Sequence, residues 1–353
     1  MSCPSNRFEL SLACQNDSAG VGAVFDDVVF GGNISVHFSR APDPYRSLQN
    51  DGESIVMPIV REAQTGQIVG VGSCVNRTEY VNGKLSATGY LTGMKLLRSH
   101  RGRVPFIRQA YDLIRAQNRH ANPLYYTTIL KGNTQAIRLL EKPRKGMPAY
   151  RYLGEYTVYC MGSSLKAMLR HGPYVFEKGN AAGLSDFYKE HLQKYNLAPR
   201  SEQLYGLSKS DFYTLRDEYG QILAACAIWN QQSYKQYITK GYKGLYKALP
   251  MLPTKLLGYP SFPKAHTPAN YAGISLFVVR DENLKVARQF LQAVVKSENK
   301  YDFLMLGLFE NHPIRQLLET MRAVRYESLV YLVDFGNLPA LDTRKIMLEV
   351  GRM

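Results

Sequence analysis

"LLRSHRGRVPFIRQAYDLI" (Leu96–Ile114) opens apolar, turns basic and then settles into helical spacing. From Lys95 to Arg108 the chain carries Lys95, Arg98, Arg101, Arg103 and Arg108 and no acid. Upstream, "ATGYLTGMKLL" (Ala87–Leu97) reads as a strand returning from a hairpin, whose turn is marked by the pair Asn82-Gly83. Downstream, Pro105 suits a first helical position, and Phe106, Ile107, Ala110, Tyr111, Leu113 and Ile114 trace one apolar helix face. A strand that feeds a helix through a basic turn sets free N–H groups and the positive end of the helix dipole around an anion. An anion site is therefore expected at this turn.

The sequence narrows the anion. A phosphate loop needs G-x-x-x-x-G-K-S/T, which does not occur, and a dinucleotide fingerprint needs three spaced glycines where this turn has only Gly102. H-E-x-x-H, G-x-S-x-G and a Ser-His-Asp order are also missing, which argues against hydrolase and metal chemistry.

At 353 residues, 45% hydrophobic and 21% charged, the chain is long enough for two domains with real cores. Its 44 Lys and Arg against 29 Asp and Glu leave a net charge of +15, which draws polyanions but says nothing about fold. Cys3, Cys14, Cys74, Cys160 and Cys226 are scattered and form no C-x-x-C pair, so neither a disulfide framework nor a zinc site is expected. The start lacks an apolar run of signal-peptide length, and Ile222–Trp229, the longest clean apolar run, is too short to span a bilayer. These features predict a soluble cytoplasmic protein without a membrane span.

Strand patterns at Ser54–Glu62, Gly66–Val81 and Ala87–Leu97 precede the basic turn, and a strand at Leu124–Leu130, a short helix at Asn133–Lys142 and a strand at Tyr156–Met161 follow it. The second half runs in a similar order: an early helix within Lys178–Tyr195, two strands within Asp211–Trp229, a strand at Tyr271–Val279, a helix at Leu284–Ser297, a strand at Tyr301–Phe309, a helix at Pro313–Met321 and a strand at Ser328–Phe335. "GNTQAIRLLE" at 132–141 aligns without a gap on "ENHPIRQLLE" at 310–319, sharing Asn133/Asn311, Leu139/Leu317, Leu140/Leu318 and Glu141/Glu319. "LLR" ending at Arg98 falls opposite "VVR" ending at Arg280, at nearly the same offset of about 180 residues. The expectation is a tandem repeat of one fold, residues 1–165 and 166–353, joined between about 163 and 185.

The basic turn resembles motif A of the GNAT N-acetyltransferase superfamily, in which a strand runs into Q/R-x-x-G-x-G/A and a helix. Arg101 takes the Q/R position, and Val104 and Phe106 take the two Gly positions. "TTILKGNTQAIRLLEK" resembles the next strand and helix of that superfamily, N-x-x-A-x-x-L-Y-E-K, matching at Asn133, Ala136, Leu139, Glu141 and Lys142. The resemblance covers most of the first half and returns more faintly in the second. It implies an α+β fold of two tandem GNAT-like domains, each a mixed, mostly antiparallel sheet flanked by helices. It also implies that Leu96, Leu97, Arg98, Arg101, Gly102, Arg103, Val104, Phe106 and Asn133 surround the pyrophosphate of acetyl-CoA, whose acyl group passes directly to an amine. No metal is implied.

The departures have chemical consequences. Val104 and Phe106 do not favour the positive φ that glycine permits, and Pro105 has no N–H, so the arginine side chains are expected to replace backbone donors. In the second copy, "VVRDENLKVAR" sets Asp281 and Glu282 where phosphate would lie, which predicts no coenzyme A binding there. The superfamily's proton-donating Tyr is Leu140 here and Leu318 in the second copy; Tyr150 and Tyr152 are the nearest candidates in sequence. "YKQYITKGYKGLYK" (Tyr234–Lys247) interleaves tyrosines and lysines and reads as an amphipathic helix, with a nucleic-acid surface as the sharper alternative. An acyl-CoA-dependent N-acyltransferase acting on an unidentified amine is the resulting reading. A tRNA-dependent aminoacyl transferase and a non-catalytic acyl-CoA- or protein-binding module remain open beside it.

Overall fold

The computed structural model describes residues 7–27, 32–102, 106–121, 123–162 and 174–353. The first half runs β1 (Phe8–Leu12), α1 (Ser18–Asp26), β2 (Ile34–Ser39), α2 (Pro44–Gln49), β3 (Ser54–Val56), β4 (Pro58–Glu62), β5 (Ile68–Val81), β6 (Lys84–Leu96), α3 (Ile107–Gln117), β7 (Leu124–Leu130), α4 (Thr134–Glu141) and β8 (Ala149–Met161). The second runs β9 (Val175–Lys178), α5 (Leu184–Leu192), β10 (Tyr195–Asn196), β11 (Ala198–Pro199), β12 (Phe212–Arg216), β13 (Ile222–Trp229), β14 (Gln236–Tyr242), β15 (Tyr271–Val279), α6 (Leu284–Ser297), β16 (Phe303–Phe309), α7 (Arg315–Glu319), β17 (Ala323–Asp334) and β18 (Lys345–Ile346).

The hairpin of β5 and β6 forms where Asn82 and Gly83, both at positive φ, make a tight turn that matches strand twist. On α3, Tyr111 and Ile114 are buried against Leu91 and Tyr125, as the apolar spacing requires. The helix begins at Ile107, later than Pro105, and Arg103, Val104 and Pro105 lie outside the described residues. The strand expected at Ser54–Glu62 is divided into β3 and β4 at Met57, a residue buried in the core. Tyr234–Lys247 is not a helix: Gln236–Tyr242 is β14, antiparallel to β2 of the first half. Its β-branched and aromatic residues prefer the pairing that β2 offers, and Tyr237 packs on Phe38 and Tyr271.

The strands of both halves join in one sheet of order β1-β4-β5-β6-β7-β17-β8-β16-β15-β13-β12-β9, with β3 and β11 also paired to β5. Read from β17 and β8 outward, the order is the same in each direction: a strand, its parallel neighbour, then the hairpin strands. Parallel pairing runs from Thr88↔Leu124 to Tyr90↔Tyr126 in one half and from Tyr271↔Phe303 to Gly273↔Met305 in the other. The long last strands are exchanged. β17 pairs with β7 of the first half, β8 pairs with β16 of the second, and the two pair with each other antiparallel from Ala323↔Met161 to Asp334↔Ala149. The sheets expected to be separate are thereby continuous. The expected joint falls partly on 163–173, outside the described residues.

Candidate functional site

In the first half, β6 and β7 part after Tyr90↔Tyr126 and open a cleft between two parallel strands. At its base Thr127 Oγ1 donates to the Leu91 carbonyl (2.6 Å), and the Tyr90 hydroxyl meets Thr128 Oγ1 (2.6 Å). The β5–β6 register then shifts between Val71 and Ser73, so Gly93 and Met94 stand off the regular ladder, Gly93 at φ +67°. Thr92 to Leu97 are all at least partly exposed. A bulge on an open strand edge frees backbone N–H groups for an oxyanion.

At the mouth of this cleft lies the basic turn. Arg98–His100 form a single 3₁₀ turn, Gly102 follows at φ +75°, and Arg98, Ser99, Arg101 and Gly102 are exposed. Arg98 and Arg101 have no ion-pair partner among the described residues. Phe106, the N-cap of α3, offers its first amides no side-chain acceptor. One donor is already used: the Arg98 N–H donates to Asp27 Oδ2 (2.7 Å).

A second opening, of about 350 Å³, lies between α1, the start of α2 and the end of β2. Phe25, Asp26 and Arg40 line it. The edge of the Phe25 ring also rests on Gly93, where an added methyl would meet the ring at 3.2 Å with no slack, so this opening adjoins the bulge. Lys95 Nζ donates to the Phe25 carbonyl (3.2 Å) and sits over its ring; burial, then the charge of Arg40, pull its pKa down from 10.5 to about 8. Asp26 is exposed on one side and meets buried His37 Nε2 (2.9 Å) on the other. Arg40 is fixed by Asp51 (2.8 Å) and Ser47 (3.1 Å), and Asp51 also binds Lys235 of the second half (2.6 Å). Burial alone would raise the Asp51 carboxyl, but Lys235 and then Arg40 hold it below its ordinary range. Beneath, Arg77 donates to the Tyr126 hydroxyl (2.7 Å), which in turn donates to Glu79 (3.0 Å).

The corresponding cleft of the second half is filled. β15 and β16 part after Gly273↔Met305, and Ile346 to Val350 occupy the gap, leaving about 10 Å³. The bulge is present, with Leu276 at φ +53° opposite the Ala225/Ala227 register shift, but its N–H donates to Glu349 Oε1 (2.8 Å). Every residue of β15 is buried. At the turn, Asp281 and Glu282 take positive φ, Glu282 accepts from the Tyr195 hydroxyl and pairs with Lys345, and Asn283 caps Lys285 and Val286. What the first half leaves open, the second half satisfies internally.

The residues expected from sequence divide accordingly. Leu96, Leu97, Arg98, Arg101 and Gly102 follow one another from the end of β6 into the turn, and Leu97 and Phe106 pack on the same apolar cluster of Phe8, Val60 and Val69. Asn133 accepts from the Ala136 N–H (3.2 Å) and is the cap of α4. Tyr150 and Tyr152 lie on the α3/α4 face of the sheet and not by Phe25: the hydroxyl of half-buried Tyr150 bonds that of Tyr111 (2.5 Å), and exposed Tyr152 packs edge-on against Tyr331. Burial, then Tyr111, push the Tyr150 pKa well up. Leu140 and Leu318 are core residues. The sequence did not signal Asp26, Arg40, Asp51 or Arg77, because no spacing links residues that only the fold assembles; Lys235, read from sequence as one of the lysines of a surface stretch, is instead buried against Asp51.

No protein-family model matches the sequence, and no curated protein matches it. Solved structures do. A GCN5-related N-acetyltransferase from Sphaerobacter thermophilus has 12% identity and a TM-score of 0.60, over 97% of this chain and 99% of that one. Saccharomyces cerevisiae N-myristoyltransferase with bound myristoyl-CoA has 10% identity and a TM-score of 0.59, over 98% of this chain and 91% of that one.

Proposed function

We propose that this chain, whose fold is that of the GCN5-related N-acetyltransferases, is an acyl-CoA-dependent N-acyltransferase of tandem GNAT architecture, with acetyl-CoA as donor and a primary amine as acceptor. Residues 1–165 hold the donor, and 166–353 form a second copy that no longer binds one. The observation that carries this reading is the asymmetry of the two clefts: the same splayed strands, bulge and turn are open and cationic in one half, and plugged by Ile346–Val350 and acidic in the other.

The pyrophosphate rests on Arg98, Arg101 and the uncapped start of α3, and the thioester lies between β6 and β7. The amine enters beside Phe25 and attacks the thioester carbon. The developing oxyanion is stabilised by the N–H groups of the Gly93–Met94 bulge, the thiolate leaves, and the amine proton passes to Asp26, backed by His37.

Titration calorimetry with acetyl-CoA, followed by thiol release and acceptor mass after incubation with an extract, tests the proposal. One equivalent bound per chain and an acylated amine are expected. No binding overturns the donor site; binding without turnover, even with longer acyl chains, makes the protein a binding module; turnover only with aminoacyl-tRNA moves it to the tRNA-dependent class.

A further inference from the structure

Of the fifteen large apolar side chains exposed among the described residues, seven fall between 245 and 259: Leu245, Tyr246, Met251, Leu252, Leu256, Leu257 and Tyr259. Leu245 is 95% exposed and Met251 80%. Seven exposed apolar side chains within fifteen residues point to an interaction face. The segment is held in this exposed form by its own bonds. Its two 3₁₀ turns, Gly244–Met251 and Thr254–Leu257, are separated by Pro253, and Thr254 Oγ1 donates to the Pro260 carbonyl (2.6 Å). The Tyr242 hydroxyl reaches the Pro263 carbonyl (2.6 Å), and Lys255 Nζ reaches the Tyr301 carbonyl (3.0 Å).

The charge around it has one sign. From Tyr219 to Arg280 the sequence contains no Asp or Glu, while Lys240, Lys243, Lys247, Lys255 and Lys264 flank the apolar residues. The acids on neighbouring elements are engaged: Asp302 accepts from the Asn270 N–H (3.2 Å), and Glu298 is buried with Lys178 and Tyr213.

We infer that this face docks the protein on an anionic lipid bilayer, the apolar side chains entering the acyl boundary and the lysines meeting the headgroups. Its chemistry selects this occupant. Five of the seven are leucine or methionine, which offer no flat face for stacked bases, and the ring of Tyr259 is already faced by Arg322, which disfavours nucleic acid. A second copy would bring lysines against lysines on a chain of net charge +15. Aliphatic residues interspersed with lysines along one exposed segment are what an interfacial anchor needs. No helix among the described residues is long and apolar enough to cross a membrane, so the contact lies on the bilayer. The inference does not rest on the acyl-transfer reading.

Sedimentation of the full chain with vesicles tests it. Binding is expected to phosphatidylcholine vesicles containing phosphatidylserine, to be weaker by roughly tenfold or more on phosphatidylcholine alone, and to fall with salt. Leu245→Ser combined with Met251→Ser and Leu257→Ser keeps the charge and removes the apolar contact; it should lose roughly tenfold in vesicle affinity. Because these side chains are exposed, the variant should keep its circular dichroism spectrum. Lys243→Gln with Lys247→Gln should lose binding to anionic vesicles, whereas Lys84→Gln with Lys209→Gln should not. Absence of vesicle binding, or anionic binding unchanged in the triple variant, overturns the inference. Binding of tRNA with no vesicle binding would assign the lysines to nucleic acid and overturn the inference.

Discussion

Two carboxylates in this molecule invite opposite predictions, because one faces solvent and the other does not. Asp26 lines the opening beside the bulge and leans on His37, which suits it to accept a proton from an amine. Asp26→Asn should lower the acyl-transfer rate by about 10²–10⁴-fold with little change in acyl-CoA affinity, as separate turnover and calorimetric measurements will show. Glu349 is fully buried, and burial lifts its carboxyl from 4.5 to about 7 even though it accepts from the Leu276 N–H. A folded pKa above the unfolded one adds stability that is whole below about pH 4.5 and is lost as pH rises through about 7, on the order of 3 kcal/mol in all. Glu349→Gln keeps the acceptor and removes the charge. Compared with wild type by urea unfolding, it should gain stability at about pH 8 and gain little at about pH 5; an equal change at both would mean the carboxyl is not perturbed.

At the scale of elements, the two strand–turn–helix units differ in how their helix starts are satisfied. Phe106 gives α3 no side-chain cap and the turn before it presents Arg98 and Arg101, whereas Asn283 caps α6 and Glu282 is held by Lys345. An exposed arginine pair without an ion-pair partner among the described residues gains little for stability, so its removal should be felt in ligand binding alone. Arg98→Ala with Arg101→Ala should weaken coenzyme A by about 1–3 kcal/mol at an unchanged melting temperature. Asn283→Ala should do the reverse, lowering stability by about 1 kcal/mol and leaving coenzyme A affinity intact. Calorimetry and thermal melts of both variants separate the two roles; unimpaired binding in the arginine variant would place the anion elsewhere.

For the whole molecule the decisive features are the exchanged strands and the buried charges that cross between halves. β7 and β16 each find one neighbour only in a strand from the other half, so neither half can close its sheet alone. Residues 1–162 and 174–353 expressed separately should be insoluble or unfolded and should recover a folded complex on co-expression, read by co-purification and circular dichroism. Independent folding of either piece would show that the exchange is dispensable. Asp51 joins Arg40 of one half to Lys235 of the other in a dry setting. Asp51→Ala leaves buried Arg40 without its carboxylate, while Lys235, whose pKa burial already pulls down to about 7, sheds its proton; the change should cost about 3–5 kcal/mol by denaturant unfolding, far more than any exposed pair here.

The sequence by itself determined the local pieces. Period-two and helical spacing located β5, β6, α3, α6 and the strands around them, because alternation and the Asn82-Gly83 turn act within a few residues. The near-constant offset between Asn133 and Asn311 and between Arg98 and Arg280 led to the expectation of a tandem repeat, and the sheet runs in the same order outward in both directions from its centre. The basic turn stood out for the same reason: its charge is contiguous. Tertiary structure alone decided the rest. It drew Tyr234–Lys247 into a strand by offering β2 as a partner, and it moved Tyr150 and Tyr152 to the face opposite the pocket. It threaded Ile346–Val350 into the second cleft and gathered Asp26, Arg40, Asp51 and Lys235 from distant positions. Sheet pairing, plugging of a cleft and burial of a charge depend on what arrives from elsewhere in the chain, and no window of sequence contains that.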